Sequence, residues 1–210
     1  MSMRGREAIV HIVDDDEAIC SSLRMLLKSR GMPAASHGSA EAFLAGYDPE
    51  QPGCLVLDVR MPGMSGLELQ DELNRRGAII PVIFITGHGD VPMAVEAMQH
   101  GATDFLQKPF ADQDFAERIQ RALALDQRNR AALEQKDQIR ARMAALTRRE
   151  LQVLQLVTLG KPNKIIAADL GVSQRTVEIH RAHLMEKMGA TSLAHLVRMT
   201  MSADIGTSTY

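Results

Sequence analysis

Asp14, Asp15, Asp58, Thr86 and Lys108 are side chains that could together hold a phosphoryl group, and each comes just after a short apolar run. The runs lie at residues 8–13, 54–57, 82–85 and 104–107, and their composition reads as strands. In an open parallel sheet, the residues that follow strands collect outside the carboxyl ends, where α/β folds build their sites. Three carboxylates gathered there repel one another and call for a cation, and an all-oxygen donor set suits Mg²⁺. A hydroxyl and an ammonium beside that cation complete a cage for a phosphoryl group carried on a carboxylate.

The elements that must position these residues alternate strand and helix from residue 1 to about 122, as in a sheet covered on both faces. Helices are expected at 17–29, 40–45, 65–75, 92–100 and 112–125, with a weakly hydrophobic edge strand near 32–36. Ser39 is placed to cap the second helix, and Gly31, Gly77 and Gly101 are placed to end helices by taking positive φ.

With 45% hydrophobic and 24% charged residues, the chain has an ordinary globular composition, long enough for two modest domains. The net charge of −2 conceals an asymmetry: residues 1–122 carry 18 acidic and 11 basic side chains, and residues 146–210 carry 5 and 8. An acidic front half and a mildly basic back half suggest a metal or regulatory site followed by a polyanion partner. Residues 1–9 lack the apolar core of a signal peptide, and no apolar run approaches the roughly 18 residues of a membrane span. Cys20 and Cys54 have no metal-ligand spacing and sit in apolar surroundings, which reads as buried free thiols in a reducing cytoplasm.

Residues 126–145 are charged, Gln-rich and free of Gly and Pro, with Leu133, Ile139 and Met143 interrupting the polar run. They read as a solvent-facing helical linker, kinked or continuous with the preceding helix. From residue 146 the pattern is purely helical. Thr147 and Glu150 form a capping-box pair, Gly160 closes the first helix, 162–170 forms the second, and Gly171 makes a turn. Ser173 caps a third helix reaching about Met188, and Thr191 or Ser192 begins a fourth. On that last helix Leu193, Leu196, Val197 and Thr200 share one face at helical spacing.

The stretches HIVDDDE, LVLDVRMPGMSG, IFITGHGD and DFLQKPF make the front half resemble the receiver domain of bacterial response regulators. The resemblance implies a flavodoxin-like, doubly wound five-stranded parallel sheet over residues 1–125. It implies that Asp58 is the phosphoacceptor, taking phosphoryl from a phosphohistidine of a sensor histidine kinase. Asp15, Asp58 and the Arg60 carbonyl would hold Mg²⁺, with Asp14 acting mainly through a water, and Lys108 would neutralise a phosphoryl oxygen. Lys108–Pro109 is expected to be a cis peptide bond. Thr86 and Phe105 would form the switch, the hydroxyl moving toward the acyl phosphate and the ring turning inward behind it. Phe105 lacks the hydroxyl that Tyr supplies in relatives, so the switch would rest on packing alone. The surface it remodels would be about 91–101 and 104–123. His88 and Arg60 fall where relatives border the acyl phosphate, although both also read as exposed polar residues.

The last 65 residues resemble the four-helix helix-turn-helix domain of the LuxR type through LTRRELQVL, GKPNKIIAADLGVSQRTVEIHRAHLMEKM and SLAHLVRM. Helical spacing reaches the same recognition helix independently. Val177, His180, Leu184 and Met188 form its packed face, leaving Arg175, Glu178, Ile179, Ala182 and Glu186 pointing outward. Glu178 can accept from a cytosine amine, Arg175 can reach guanine or phosphate, and Ile179 can touch a thymine methyl. Thr176 and Ala182 share this DNA-facing region, and Lys164, Arg181 and His183 lie where phosphate contacts are expected. The family dimerises through its last helix, here the stripe of Leu193, Leu196 and Val197.

Together the halves resemble two-domain regulators of the NarL/FixJ family, nearest the FixJ type. The implied partners are the kinase, double-stranded promoter DNA, RNA polymerase and a second copy of the chain after phosphorylation, with no membrane. Two rivals remain: a DNA-binding protein working independently of phosphorylation, and an aspartate-nucleophile phosphatase or phosphotransferase. Against the latter, such enzymes place the nucleophile in an Asp-x-Asp pair after the first strand, whereas here the isolated acceptor follows the third.

Overall fold

The structure is a computed structural model describing residues 6–87, 95 and 97–202. Two compact units divide the chain between Arg130 and Ala131. The first contains β1 (Ile9–Val13), α1 (Glu17–Ser29), β2 (Ala34–His37), α2 (Ala40–Gly46), β3 (Gly53–Asp58), α3 (Gly66–Arg75), β4 (Val82–Thr86) and β5 (Asp104–Gln107), followed by the long helix α4 (Asp112–Ala144). The sheet is five-stranded and parallel throughout, in the order β2-β1-β3-β4-β5. Its strand order reverses between β1 and β3, the switch point where doubly wound sheets open a crevice.

Alternation within the strands builds the two layers. In β3, Cys54 and Val56 join Cys20, Leu23 and Leu27 of α1 and Phe115 and Ile119 of α4. Leu55 and Leu57 turn the other way, joining Phe43 of α2 and Leu69 and Leu73 of α3. Every residue of β3 and β4 is buried, as expected for central strands covered on both faces. Both cysteines are buried free thiols, and desolvation pushes Cys54 up to about 12. Of the helix expected at 92–100, Val95 and residues 97–99 are helical, and Gly101 takes φ +94°. Residues 88–94 and 96, which include His88 and part of the expected switch surface, lie outside the described residues.

Helix α4 is one unbroken helix of 33 residues, so the continuous form of the expected linker is observed. Its expected solvent-facing character needs correction. Asp126 is 1% exposed and Arg130 8%. The Arg130 guanidinium binds both Asp126 oxygens (3.0 and 2.8 Å) and donates to the Pro49 and Gln51 carbonyls, each at 2.8 Å. Asp126 also accepts the Gly53 N–H at 3.0 Å. The start of the expected linker is thus tied to the entrance of β3. Its far end belongs to the second unit, where Ile139 is buried and Arg142 donates to the Met188 carbonyl at 2.8 Å.

In the second unit, α5 (Arg148–Thr158), α6 (Asn163–Leu170), α7 (Gln174–Met188) and α8 (Leu193–Ser202) enclose Val153, Leu154, Val157, Ile166, Val177, Leu184 and Met188. The capping box of Thr147 and Glu150 is present, and Ser173 caps α7. Gly171 and Gly189 end α6 and α7 in the left-handed conformation, which glycine adopts without a Cβ penalty. Among the described residues no helix is long and apolar enough to cross a membrane.

Candidate functional site

Four adjacent strands deliver the site. Val13 pairs with Leu57, so the chain leaves β1 and β3 side by side and places Asp14 near Asp58. Thr86 ends β4 and is 2% exposed, and its carbonyl accepts the Lys108 N–H at 2.8 Å, which brings Lys108 alongside. The Lys108 ammonium then lies 2.7 Å from Asp14 Oδ2 and 3.0 Å from Asp58 Oδ1. Lys108–Pro109 is cis, as expected.

Each carboxylate is also held by backbone. Asp14 Oδ1 accepts the Asp16 N–H at 2.9 Å, and Asp58 Oδ2 accepts the Arg60 N–H at 2.8 Å. Asp16 was not singled out from the sequence, yet it caps α1 by accepting the Ala18 N–H at 2.8 Å. Its signal was an aspartate directly before an amphipathic helix. Asp14 is 2% exposed and Asp58 8%, whereas Asp15 and the Arg60 side chain are exposed. Gly66 allows α3 to start against β3, because a Cβ there would lie 2.2 Å from the Asp58 carbonyl oxygen.

Desolvation raises the Asp58 pKa above the ordinary carboxylate value, against the lowering effects of Lys108 and the Arg60 N–H. Desolvation opposes the charge of Lys108 too, but hydrogen bonds to Asp14 and Asp58 and their negative charges outweigh it, and the net shift is upward. Negative charge at Asp58 is therefore incompletely compensated by the lysine, and a hard cation fits the deficit. Among the described residues, no three His, Cys, Asp or Glu side chains converge as a metal cage. Mg²⁺ binds through one or two carboxylates and keeps several waters, and Asp58 and the exposed Asp15 are carboxylates of that kind at these strand ends.

Phe105 on β5 pairs with Phe84 and packs half-buried against the layer containing Ala97 and Ala102.

In the second unit Arg175, Glu178, Ile179, Ala182 and His183 are exposed on α7, with Thr176 and Arg181 partly buried. Lys164 is exposed on α6. Val177, Leu184 and Met188 are fully buried and His180 partly so, matching the expected packed face. Two pairings escaped the sequence reading. Arg175 and Glu178 form an ion pair at 3.5 Å, and Arg181 donates to Asn163 Oδ1 at 2.7 Å. The first was signalled by opposite charges three residues apart on a helix.

The stripe expected on α8 is divided. Leu196 is fully buried with Met199 in the domain core, so it is unavailable to a second copy, while Leu193 is 41% exposed and Val197 is half-buried. One residue of helical phase decides this, since α5–α7 claim the face centred on Leu196.

The family description "Response regulator receiver domain" matches residues 10–120, and "Bacterial regulatory proteins, luxR family" matches residues 144–200. The chain is 50% identical over 196 residues to the transcriptional regulatory protein FixJ of Azorhizobium caulinodans, covering 93% of each. It is 51% identical over 199 residues to FixJ of Rhizobium meliloti, covering 95% of this chain and 98% of that one. The solved structure of the response regulator StyR has a TM-score of 0.81 at 46% identity, over 93% of this chain and 98% of that one. A carboxylate pocket at the ends of parallel strands, a separate helical unit and this length of similarity agree. The chain belongs to the FixJ-type two-component response regulators, transcription regulators that join a receiver domain to a LuxR-type DNA-binding domain.

Proposed function

We propose that Asp58 accepts a phosphoryl group from a phosphohistidine of a sensor histidine kinase, and that this switches DNA binding by the second unit. The observation that carries the reading is Lys108 bridging Asp14 and Asp58, two buried carboxylates from neighbouring strand ends. An Asp58 oxygen attacks phosphorus and the P–N bond breaks as the P–O bond forms. The P–N electron pair stays on the ring nitrogen, so a ring protonated on its other nitrogen departs as neutral imidazole. Lys108 stays within reach of the added oxygens, and the Arg60 N–H continues to orient the carboxyl. Asp15, Asp58 and the Arg60 carbonyl would hold Mg²⁺, with Asp14 acting mainly through a water, and the ion would neutralise charge on the transferring phosphoryl. An open groove of about 760 Å³, lined by Ile19, Leu26, Pro109 and Phe110, adjoins Lys108 and offers an apolar resting surface to the kinase.

An acyl phosphate adds roughly −2 charge to this pocket, which must rearrange to accommodate it. Thr86 turns its hydroxyl toward the phosphoryl and Phe105 follows by packing, without the hydrogen bond that a Tyr would add. Receiver pairing then raises the local concentration of two DNA-binding units. Arg175, Thr176, Glu178, Ile179 and Ala182 face the major groove of promoter DNA, with Lys164, Arg181 and His183 on phosphates. Pairing of the second unit falls on Leu193 and Val197, and the bound dimer acts on RNA polymerase to activate transcription.

The test is sedimentation of wild type and Asp58→Ala, with and without beryllofluoride and Mg²⁺. Wild type alone is expected to shift from monomer to dimer. A shift in both proteins would place the anion elsewhere, and no shift in either would favour DNA binding independent of phosphorylation.

A further inference from the structure

The loop from Asp58 to Gly66 must deliver the Arg60 carbonyl and N–H to the acceptor pocket, and it is fixed at both ends. The Gly66 N–H donates to the Val59 carbonyl at 3.0 Å, closing the loop on itself. Ser65 and Glu68 form a capping box that locks the entry to α3. Between these points the chain turns through Gly63 at φ +76°. There the loop is held from outside by a residue with no part in the phosphoacceptor motif. Glu41, in the first turn of α2, accepts the Met64 N–H on Oε1 at 3.1 Å. The same oxygen sits over Gly63, where an added Cβ would lie 3.0 Å away. The carboxyl is kept below the ordinary range by its own backbone N–H, the Met64 N–H and the Ser39 hydroxyl, so it is ionised when it makes this contact.

We infer that Glu41 is a positioning residue for the phosphoacceptor site, its carboxylate clamping the 58–66 loop through Met64 and Gly63 so that Arg60 is presented to Asp58 and to a bound divalent cation. The inference rests on the proposed phosphoacceptor role of Asp58. Glu41 touches neither the acceptor carboxylate nor the cation, and acts through two intervening backbone groups. Its exposure on α2 means that losing it leaves no buried hole. The consequence falls on the loop's conformational freedom, and so on the cation's affinity rather than on the fold. Partners hydrogen-bonded directly to a metal's ligands commonly change affinity by about tenfold or more, and a clamp acting through two further backbone groups should change it by less.

The experiment titrates Mg²⁺ by calorimetry into the full chain as wild type, Glu41→Gln, Glu41→Ala and Asp58→Ala. It is paired with amide exchange at Met64 and with thermal unfolding in the absence of Mg²⁺. Glu41→Ala should bind Mg²⁺ a few-fold more weakly and exchange the Met64 amide faster, with a metal-free melting temperature close to wild type. Its phosphorylation by acetyl phosphate should recover the wild-type rate at saturating Mg²⁺. Glu41→Gln, which keeps a carbonyl acceptor, should restore most of the affinity. Unchanged Mg²⁺ affinity in Glu41→Ala overturns the inference, and so does a weakening that merely accompanies a large loss of metal-free stability. If wild type bound no Mg²⁺, or Asp58→Ala still took up phosphoryl, the phosphoacceptor reading itself would fall, and this inference with it. Normal wild-type behaviour with an indifferent Glu41→Ala would remove only the clamp.

Discussion

The acceptor pocket of the first unit and the outward face of α7 in the second handle charge in opposite ways. In the pocket, ions are gathered from distant parts of the chain and buried, with Lys108 serving Asp14 and Asp58. At the end of the receiver, Arg130 binds Asp126 one turn away and two carbonyls of the distant loop before β3. On that outward face Arg175 and Glu178 are exposed and paired locally, while Lys187 near the end of α7 reaches back to the buried Glu150. A buried pair is worth little net, but removing one member leaves an uncompensated charge in low dielectric. An exposed pair is screened and worth almost nothing to stability, yet its field reaches an approaching polyanion. The first arrangement suits a site that senses one added charge, and the second suits a surface that reads a highly charged partner.

Breaking the buried group at the end of the receiver should give the largest effect. Arg130→Ala strands Asp126 and leaves the Pro49 and Gln51 carbonyls without this donor, so urea unfolding should show a loss of about 3 kcal/mol. Lys108→Ala comes next, at about 2 kcal/mol, because the lysine is partly exposed and Asp58 can take up a proton in compensation. Asp58→Ala should cost less than Lys108→Ala, since it removes one of two carboxylates competing for the same ammonium. Equal losses in the two variants would show that the pocket is not charge-strained.

Acid should separate the units further. Desolvation, assisted by His37, lowers His11 to about 4, with His11 Nδ1 and His37 Nε2 3.2 Å apart beside Phe43. The unfolded chain therefore takes up a proton at His11 near pH 6.5 while the folded receiver does not, and receiver stability falls as pH drops from about 6.5 toward 4. In the second unit, Lys187 and the Thr147 backbone hold Glu150 down to about 2. That contribution is complete above about 4.5 and is lost as pH falls toward 2. Circular dichroism of the chain on acidification should show the receiver weakening first, and His11→Phe should flatten the higher-pH part of the profile. Simultaneous loss of both units would contradict the assignment.

The smallest stability effect is expected on the outward face of α7. Arg175→Ala should change unfolding by less than about 0.5 kcal/mol while reducing the salt dependence of DNA binding by about one unit of slope. Glu178→Gln, which releases Arg175 from its partner, should raise non-specific affinity a few-fold at low salt. A destabilisation comparable to that of Arg130→Ala would erase the distinction between the units.

Much of this was legible in the sequence because it is local. Continuous apolar runs at residues 54–57 and 82–85 announce strands buried on both faces, since side chains switch sides at each residue and both sides here are apolar. Thr147 and Glu150 announce a helix start because three residues bring their hydroxyl and carboxylate to each other's backbone N–H. Val177, Leu184 and Met188 lie on one face by helical period alone. The acidic and basic residues at strand ends were visible for the same reason, each marked by the run before it.

What the sequence could not specify were contacts whose partners are far apart in the chain. Lys108 meets Asp14 and Asp58 across 94 and 50 residues, a meeting made possible by the β2-β1-β3-β4-β5 order. Asp126 and Arg130 look like linker charges until the loop before β3 covers them, and Leu196 looks like part of an exposed stripe until α5–α7 claim its face. Glu41 is an unremarked surface acid until the turn at Gly63 passes beneath it. Periodicity records which side of an element a residue occupies, and it determined the strands, the helices and the strand-end chemistry. Which other element arrives on that side is decided by close packing of the whole chain, so only the tertiary structure chose which charges are buried, which are shared and which remain for a partner.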